Sequence, residues 1–542
     1  MFKKVLQLLN KSQKFSIGLY FLFSLLIVVF ELLSLGMIIP LVASILNPED
    51  SLKYIDLIPM ELNMINSDNV ILYIFIIFNF LIIIKNIILY LVQKYQIKFI
   101  AGYQKSLQDE LFQRYLFFPI SKLLNNNISI INRNVIDLSS EYVNNYLNPL
   151  ITILADLVLL FFILFFLFLA EPFITTSSIF IFSIFGALIF LINKKILLIE
   201  GERYKENKSE RIKVLNQTFG AIFEIKTFKR ENIFIENFNQ ITNILKNTQM
   251  KLTILGFIPK LIFEVFAILI ITLFFLILLK NNLNLNETLP IVALFCYSIV
   301  RIVPIINKVL VNSQRLKYTE PSFKEIYSVI QYTLTKQNSL GKIDQFKEKI
   351  TLKNLSYEYL KGKLILDKIN IDIKKNEFIG ITGASGSGKS TLLKIILGLL
   401  EPTNGNIHCD NKSIFQNLDQ WQKLISFVPQ DVYILDETFE KNITIGQKLP
   451  EINTERYKTA IEFANLDEFI NSLPDGEQTT LGDKGSKISG GQKQRIGLAR
   501  AIYSNSDIII LDESTNSIDE MNELKILENL KQLKKLNKTI IF

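Results

Sequence analysis

Six stretches of this chain are long and apolar enough to cross a bilayer, and they restrict the fold more than any other feature. Nearly unbroken apolar runs occur at Ile17 to Leu35, Val70 to Leu91, Ile151 to Leu169, Phe173 to Ile192, Leu261 to Leu279 and Leu289 to Ile306. A hydrocarbon core about 30 Å thick needs about 20 helical residues. With every backbone group needing an internal partner there, each run is predicted to be a helix. Hydrophobic residues make up 49% of the 542 residues and charged ones only 20%, which is too apolar for an ordinary soluble enzyme. Six crossings put both ends of the membrane domain on one side.

Lys and Arg collect in loops that stay in the cytoplasm. The amino end carries Lys3, Lys4, Lys11 and Lys14, and the connection from span two to three carries Lys94, Lys98, Lys105 and Arg114. The connection from span four to five runs from Lys194 and Lys195 through Lys229, Arg230 and Lys251. After span one, acidic residues at Glu49, Asp50, Asp56, Glu61 and Asp68 face a single Lys53. The amino end and everything after span six are therefore expected in the cytoplasm. A net charge of +8 needs no nucleic-acid partner, because the excess sits where anionic headgroups favour it. The first run is too long, and lacks a following small-residue cleavage site, to be a signal peptide. Cys296 and Cys409 are too few for a disulfide framework or a zinc site.

The second half carries three motifs in a fixed order. Gly383-Ala384-Ser385-Gly386-Ser387-Gly388-Lys389-Ser390-Thr391 is a phosphate loop between a strand at Phe378 to Thr382 and a helix continuing through Leu392 to Leu400. Backbone N–H groups and the helix N-terminus then point at phosphates. Ile488-Ser489-Gly490-Gly491-Gln492 follows, and Ile508 to Leu511 leads into Asp512 and Glu513. The loop alone is shared by many nucleotide enzymes; with the second glycine-rich element between it and the acidic pair, the chemistry reads as ATP hydrolysis.

On these motifs the chain resembles the ABC transporter family, in particular exporter-type half-transporters. The implied fold is an all-α six-helix transmembrane domain at 1–318, a linker at 319–345 and an α/β P-loop NTPase domain at 346–542. The resemblance implies roles by position. ATP and Mg²⁺ are the expected cofactors, held by Gly383 to Thr391, including Ser385, Gly386, Ser387 and Gly388. Lys389 reaches the β and γ phosphates and Ser390 ligates the metal. Gln430, in Val428-Pro429-Gln430, resembles the glutamine that senses Mg²⁺ and the lytic water. Asp512 holds Mg²⁺ through water, and Glu513 polarises the attacking water. Tyr359 stands where an aromatic stacks on adenine, with Tyr357 as its alternative. Gly482-Asp483-Lys484-Gly485 and Asp519 resemble two further family loops.

The signature Ser489, Gly490, Gly491 and Gln492 closes, in this family, over ATP held by a partner domain. A second copy of the chain, or a related half-transporter, is therefore the expected partner. In the family a His contacts the γ-phosphate after the strand that Thr539 to Phe542 would form; the only histidine here, His408, lies elsewhere. The expectation is a carboxyl end cut before that residue, or a subunit that binds ATP and hydrolyses it weakly.

The substrate is less legible. Glu31, Lys85, Asp156, Glu264 and Arg301 fall within or at the ends of apolar runs, where charge is costly and marks either function or mutual pairing such as Glu31 with Lys85. Lys260 with Glu264, Arg301 with Pro304, and Glu224-Ile225-Lys226 resemble flippases of lipid-linked oligosaccharides in bacterial inner membranes. That resemblance makes Arg301 and Lys260 candidates to meet a lipid diphosphate. Export of another lipid, a drug-like amphiphile or a peptide is the alternative. Phe219 to Arg230 is amphipathic enough to dock on an ATPase domain, or is a plain surface helix.

Overall fold

The structure, a computed structural model, describes residues 2–46, 67–120, 128–280, 285–332, 345–359, 362–384, 386–512 and 537–542, with the single positions 123, 343 and 528. The chain divides into two compact units, one of residues 1–118 and 126–334, the other of 119–125 and 335–542.

Among the described residues, six helices of the first unit are long and apolar enough to span a membrane: α1 Lys11–Leu46, α2 Ile71–Leu116, α3 Ile130–Ala170, α4 Pro172–Gly220, α5 Glu231–Leu273 and α6 Thr288–Tyr318. Each covers all or most of one predicted run, and most extend well beyond it. The 49 residues of α4 make a helix roughly 74 Å long, more than twice the hydrocarbon thickness. Residues such as Phe80, Phe161, Phe180 and Leu191 are more than half exposed, as an apolar solvent allows. Asn10 starts α1 with a capping box, its side chain accepting from the Gln13 N–H while Gln13 returns the bond.

The stretch read as a linker contains α7, Glu320–Gln331, which belongs to the helical unit. Phe323 and Ile326 on it are buried, and the Phe323 ring stacks on Tyr146 at 4.8 Å. The polar composition around it masked this apolar face, which recurs at helical spacing.

The second unit holds two four-stranded sheets. One is antiparallel, with β1 Lys349–Glu358 between β2 Leu364–Lys374 and β4 Asn404–Cys409, and β5 Lys412–Ser413 at the edge beyond β4. The other is parallel, in the order β3 Phe378–Ile379, β8 Thr539–Ile541, β7 Ile508–Leu511 and β6 Ile425–Val428. All four residues of β7 are buried, the pattern of a strand covered on both faces. Helix α8, Lys389–Ile396, places Leu392, Leu393, Ile395 and Ile396 in one core with residues of both sheets. It stops earlier than predicted. Gly398 turns the chain at φ +70°, and the Trp421 indole N–H donates to the Ile396 carbonyl at 2.8 Å.

Candidate functional site

The phosphate loop leaves β3 and enters α8 through two glycines in the left-handed region, Gly386 at φ +80° and Gly388 at φ +95°. A Cβ on Gly388 would lie 2.9 Å from Ile365 Cγ2, so both its angle and its surroundings demand glycine. The Lys389 ammonium bends back over the loop and donates to the carbonyls of Gly383 at 2.9 Å and Ala384 at 3.3 Å. Thr391 is buried, whereas Gly383, Gly386 and Ser387 are exposed.

Parallel pairing brings the rest of the site to the same end of the sheet. Val428 and Leu511 are register partners, and the Asp512 N–H donates to the Val428 carbonyl at 2.9 Å. Asp512 therefore stands just beyond β7, and exposed Gln430 stands two residues beyond β6. This is the crevice outside the carboxyl ends of parallel strands, where α/β sheets bind ligands. Across it, Ser390 Oγ donates to Asp512 Oδ1 at 3.0 Å. A hydroxyl and a carboxylate so placed offer oxygen donors of the kind a hard divalent cation prefers. The loop, the ammonium and the helix start fit polyphosphate.

Tyr359, past the end of β1, is half exposed; Tyr357 is buried against it, the rings meeting edge-on at 5.0 Å. Ser489 caps α9, Gly490–Tyr503: its hydroxyl accepts from the Gln492 N–H at 3.2 Å, and the Gln492 side chain accepts from the Ser489 N–H at 2.7 Å. Gly490 and exposed Ser489 thus present a helix start to the surface. Ser385, Glu513 and Asp519 lie outside the described residues, as does the side chain of Asp483.

Arg500 was missed in the sequence. From α9 its guanidinium donates to the Tyr433 carbonyl at 2.7 Å and to Asn442 Oδ1 at 2.8 Å, tying the helix that follows Ser489 to the segment that follows Gln430. Burial lowers its pKa to about 10. No spacing signal joins residues 58 positions apart.

In the helical unit, Glu31 is doubly paired. Its carboxylate meets Lys85 Nζ at 3.0 Å and Arg301 Nε at 3.2 Å, so the pairing expected of Glu31 and Lys85 also includes Arg301. Arg301 also donates to the Tyr297 hydroxyl at 2.9 Å. Asp156 pairs with Lys308 at 3.1 Å. Lys260 and Glu264 are half exposed and 3.8 Å apart; no hydrogen bond or ion pair joins Lys260 to Arg301 among the described residues.

Comparison with known proteins decides the family. Residues 17–302 match the family described as the ABC transporter transmembrane region, and residues 366–516 match that described as ABC transporter. The chain belongs to the ABC transporters. As an ABC transporter of this domain order it is a multi-pass membrane protein that binds nucleotide and couples ATP hydrolysis to transport. It is similar to an ATP-dependent lipid A-core flippase of Ralstonia nicotianae, 26% identical over 78% of this chain and 72% of the relative. It is also similar to the chloroplastic ABC transporter B family member 29 of Arabidopsis thaliana, 35% identical over 39% of this chain and 34% of the relative. A bacterial Atm1-family ABC exporter solved with ATP bound shares the fold, with a TM-score of 0.77, 17% identity, and coverage of 96% of this chain and 89% of that one.

Proposed function

We propose that this ABC transporter moves a lipid or lipid-like amphiphile across a bacterial inner membrane, with its ATPase unit in the cytoplasm. The similarity to lipid A-core flippases over most of the chain is the observation that carries the substrate class. The basic loops described above support the orientation.

The phosphate loop Gly383 to Thr391 holds the polyphosphate, and Lys389 exchanges its bonds to the Gly383 and Ala384 carbonyls for phosphate oxygens. Ser390, Asp512 and Gln430 hold Mg²⁺, which when bound neutralises phosphate charge. Tyr359 offers its open ring to the adenine, while Tyr357 belongs to the packing beneath. Glu513 orients the water and accepts its proton. Ser489 and Gly490, exposed at the start of α9, close over nucleotide on a second copy of the chain. Arg301, which shares Glu31 with Lys85 and is about a third open, and half-exposed Lys260 contact an anionic group on the substrate.

The test is a Glu513→Gln variant in lipid vesicles. It is expected to retain ATP and to hold two copies together, while the wild-type chain turns ATP over faster when substrate lipid is present. A variant that turns ATP over at the wild-type rate would remove Glu513 from its role, and a wild-type rate indifferent to every lipid tested would argue against a lipid substrate.

A further inference from the structure

Two cavities follow one another along the helical unit, and their linings differ in kind. The first, of about 670 Å³, lies among α3, α4, α5 and α6 and has many polar and charged side chains in its lining. Its charged lining residues are Asp137, Glu141, Lys208 and Arg315, two of each sign, with amides such as Gln249 and Gln314 between them. The second, of about 220 Å³, lies among α3, α4 and α6 and is lined mainly by apolar residues such as Leu164, Phe182, Val303 and Ile306. Helix α6 lines both, Val309 and Leu310 the apolar cavity and the next residue, Val311, the polar one.

The polar wall is built deliberately. Asp137, Glu141, Asn144 and Asn145 of α3 all line the first cavity. Wide π-wound turns at Arg133–Leu138 and Val143–Leu147 bracket the single ordinary turn that carries Glu141. Such turns inside a helix concentrate at functional sites. Glu141 is buried; Lys208 of the same lining acts on it through space, but no ion pair closer than 4.0 Å joins Glu141 to a cation among the described residues. Its donors are the Tyr318 hydroxyl at 3.3 Å and Ser322 Oγ at 3.4 Å, both long for bonds to a carboxylate. Lys208 is 3.8 Å from Asp137, and Arg315 stands exposed with no ion-pair partner among the described residues.

We infer that the two cavities form one binding site for an amphiphile whose head carries both an ammonium and a phosphate. Glu141 receives the ammonium, Arg315 the phosphate, and the apolar cavity the far part of the tail. A head with no net charge matches a lining with none, and burial of a tail adds about 0.8 kcal/mol per CH₂. The inference rests on the proposed movement of a lipid and adds a head site at Glu141 and Arg315, separate from the contact proposed at Arg301 and Lys260.

Equilibrium binding to the full chain in maltoside micelles tests this with three labelled probes. Lysophosphatidylethanolamine has ammonium, phosphate and tail; lysophosphatidylglycerol lacks the ammonium; free phosphoethanolamine lacks the tail. The first is expected to bind tightest, with loss of the ammonium costing about tenfold. Glu141→Gln is expected to bring the first probe to the level of the second and leave the second unchanged. Ile306→Trp, which fills the apolar cavity, is expected to weaken both lysolipids and not the free head. If Glu141→Gln does not fold, Arg315→Gln supplies the second arm, weakening both phosphate-bearing lysolipids. Equal binding of the two lysolipids to the wild-type chain, or equal effects of Glu141→Gln on both, would overturn the inference. Free phosphoethanolamine binding as tightly as its lysolipid would assign the site to a soluble molecule and overturn the amphiphile. Lipid movement measured in parallel separates the two readings. Movement without head selectivity removes only the site, and selectivity without movement of any lipid removes the transported class.

Discussion

Ser390 Oγ donates to Asp512 Oδ1 at 3.0 Å, joining a helix start to a strand end 122 residues further along the chain. The pair presents two hard oxygens beside the phosphate loop. Ser390→Ala is predicted to weaken Mg²⁺ dependence, reducing apparent metal affinity at least about tenfold. Titrating Mg²⁺ against ATP hydrolysis measures it, and an unchanged half-saturation would show that Ser390 is not a ligand.

Gly388 enters α8 at φ +95° with Ile365 and Leu366 against the position of a Cβ. Gly388→Ala is predicted to cost about 1–2 kcal/mol from the backbone angle alone, with the crowding added to it. Thermal unfolding with and without ATP checks this: the variant is expected to unfold earlier and to lose most of the stabilisation that ATP gives the wild-type chain.

Arg500 holds the Tyr433 carbonyl and Asn442 Oδ1 together from α9. Lysine has neither the fork nor the reach to serve both at once. Arg500→Lys is therefore predicted to destabilise the ATPase unit by about 2 kcal/mol, because it removes charged hydrogen bonds from a part-buried junction. Chemical unfolding followed by Trp421 fluorescence reads this directly, since the single tryptophan is buried in the same unit.

Glu31 serves both Lys85 and Arg301 inside the apolar part of the helical unit. Glu31→Gln leaves two cations facing each other and is predicted to cost about 3–5 kcal/mol. Adding Lys85→Met is predicted to recover part of the loss, since one unpaired charge is then removed. Thermal stability of the single and double variants in detergent measures the coupling; strictly additive losses would show that the pair is not energetically linked.

The six spans were legible because a hydrocarbon solvent leaves apolar composition as the only solution, but their ends were not. The extension of α4 to Gly220 is polar and helical, and nothing in hydropathy marks where such a helix stops. The nucleotide motifs were legible because a phosphate loop constrains residue type at each step: glycine at φ +95° for Gly388, an ammonium at Lys389, a hydroxyl at Ser390. Contacts set by tertiary packing left no such trace. Arg500 reads as one more basic residue in an amphipathic helix, and Arg301 reads as a lone cation until α1 brings Glu31 to it. The polar cavity draws its lining from four helices, so no single segment of sequence displays it.

ATP-driven movement of an amphiphile can be followed in proteoliposomes carrying a fluorescent headgroup-labelled lipid in both leaflets. Loss of signal to an external quencher reports which leaflet holds the label. Internal Mg²⁺ and ATP are expected to change the transbilayer distribution with the wild-type chain, and Lys389→Ala is expected to abolish the change. Redistribution that proceeds equally without ATP, or that survives Lys389→Ala, would contradict ATP-driven movement.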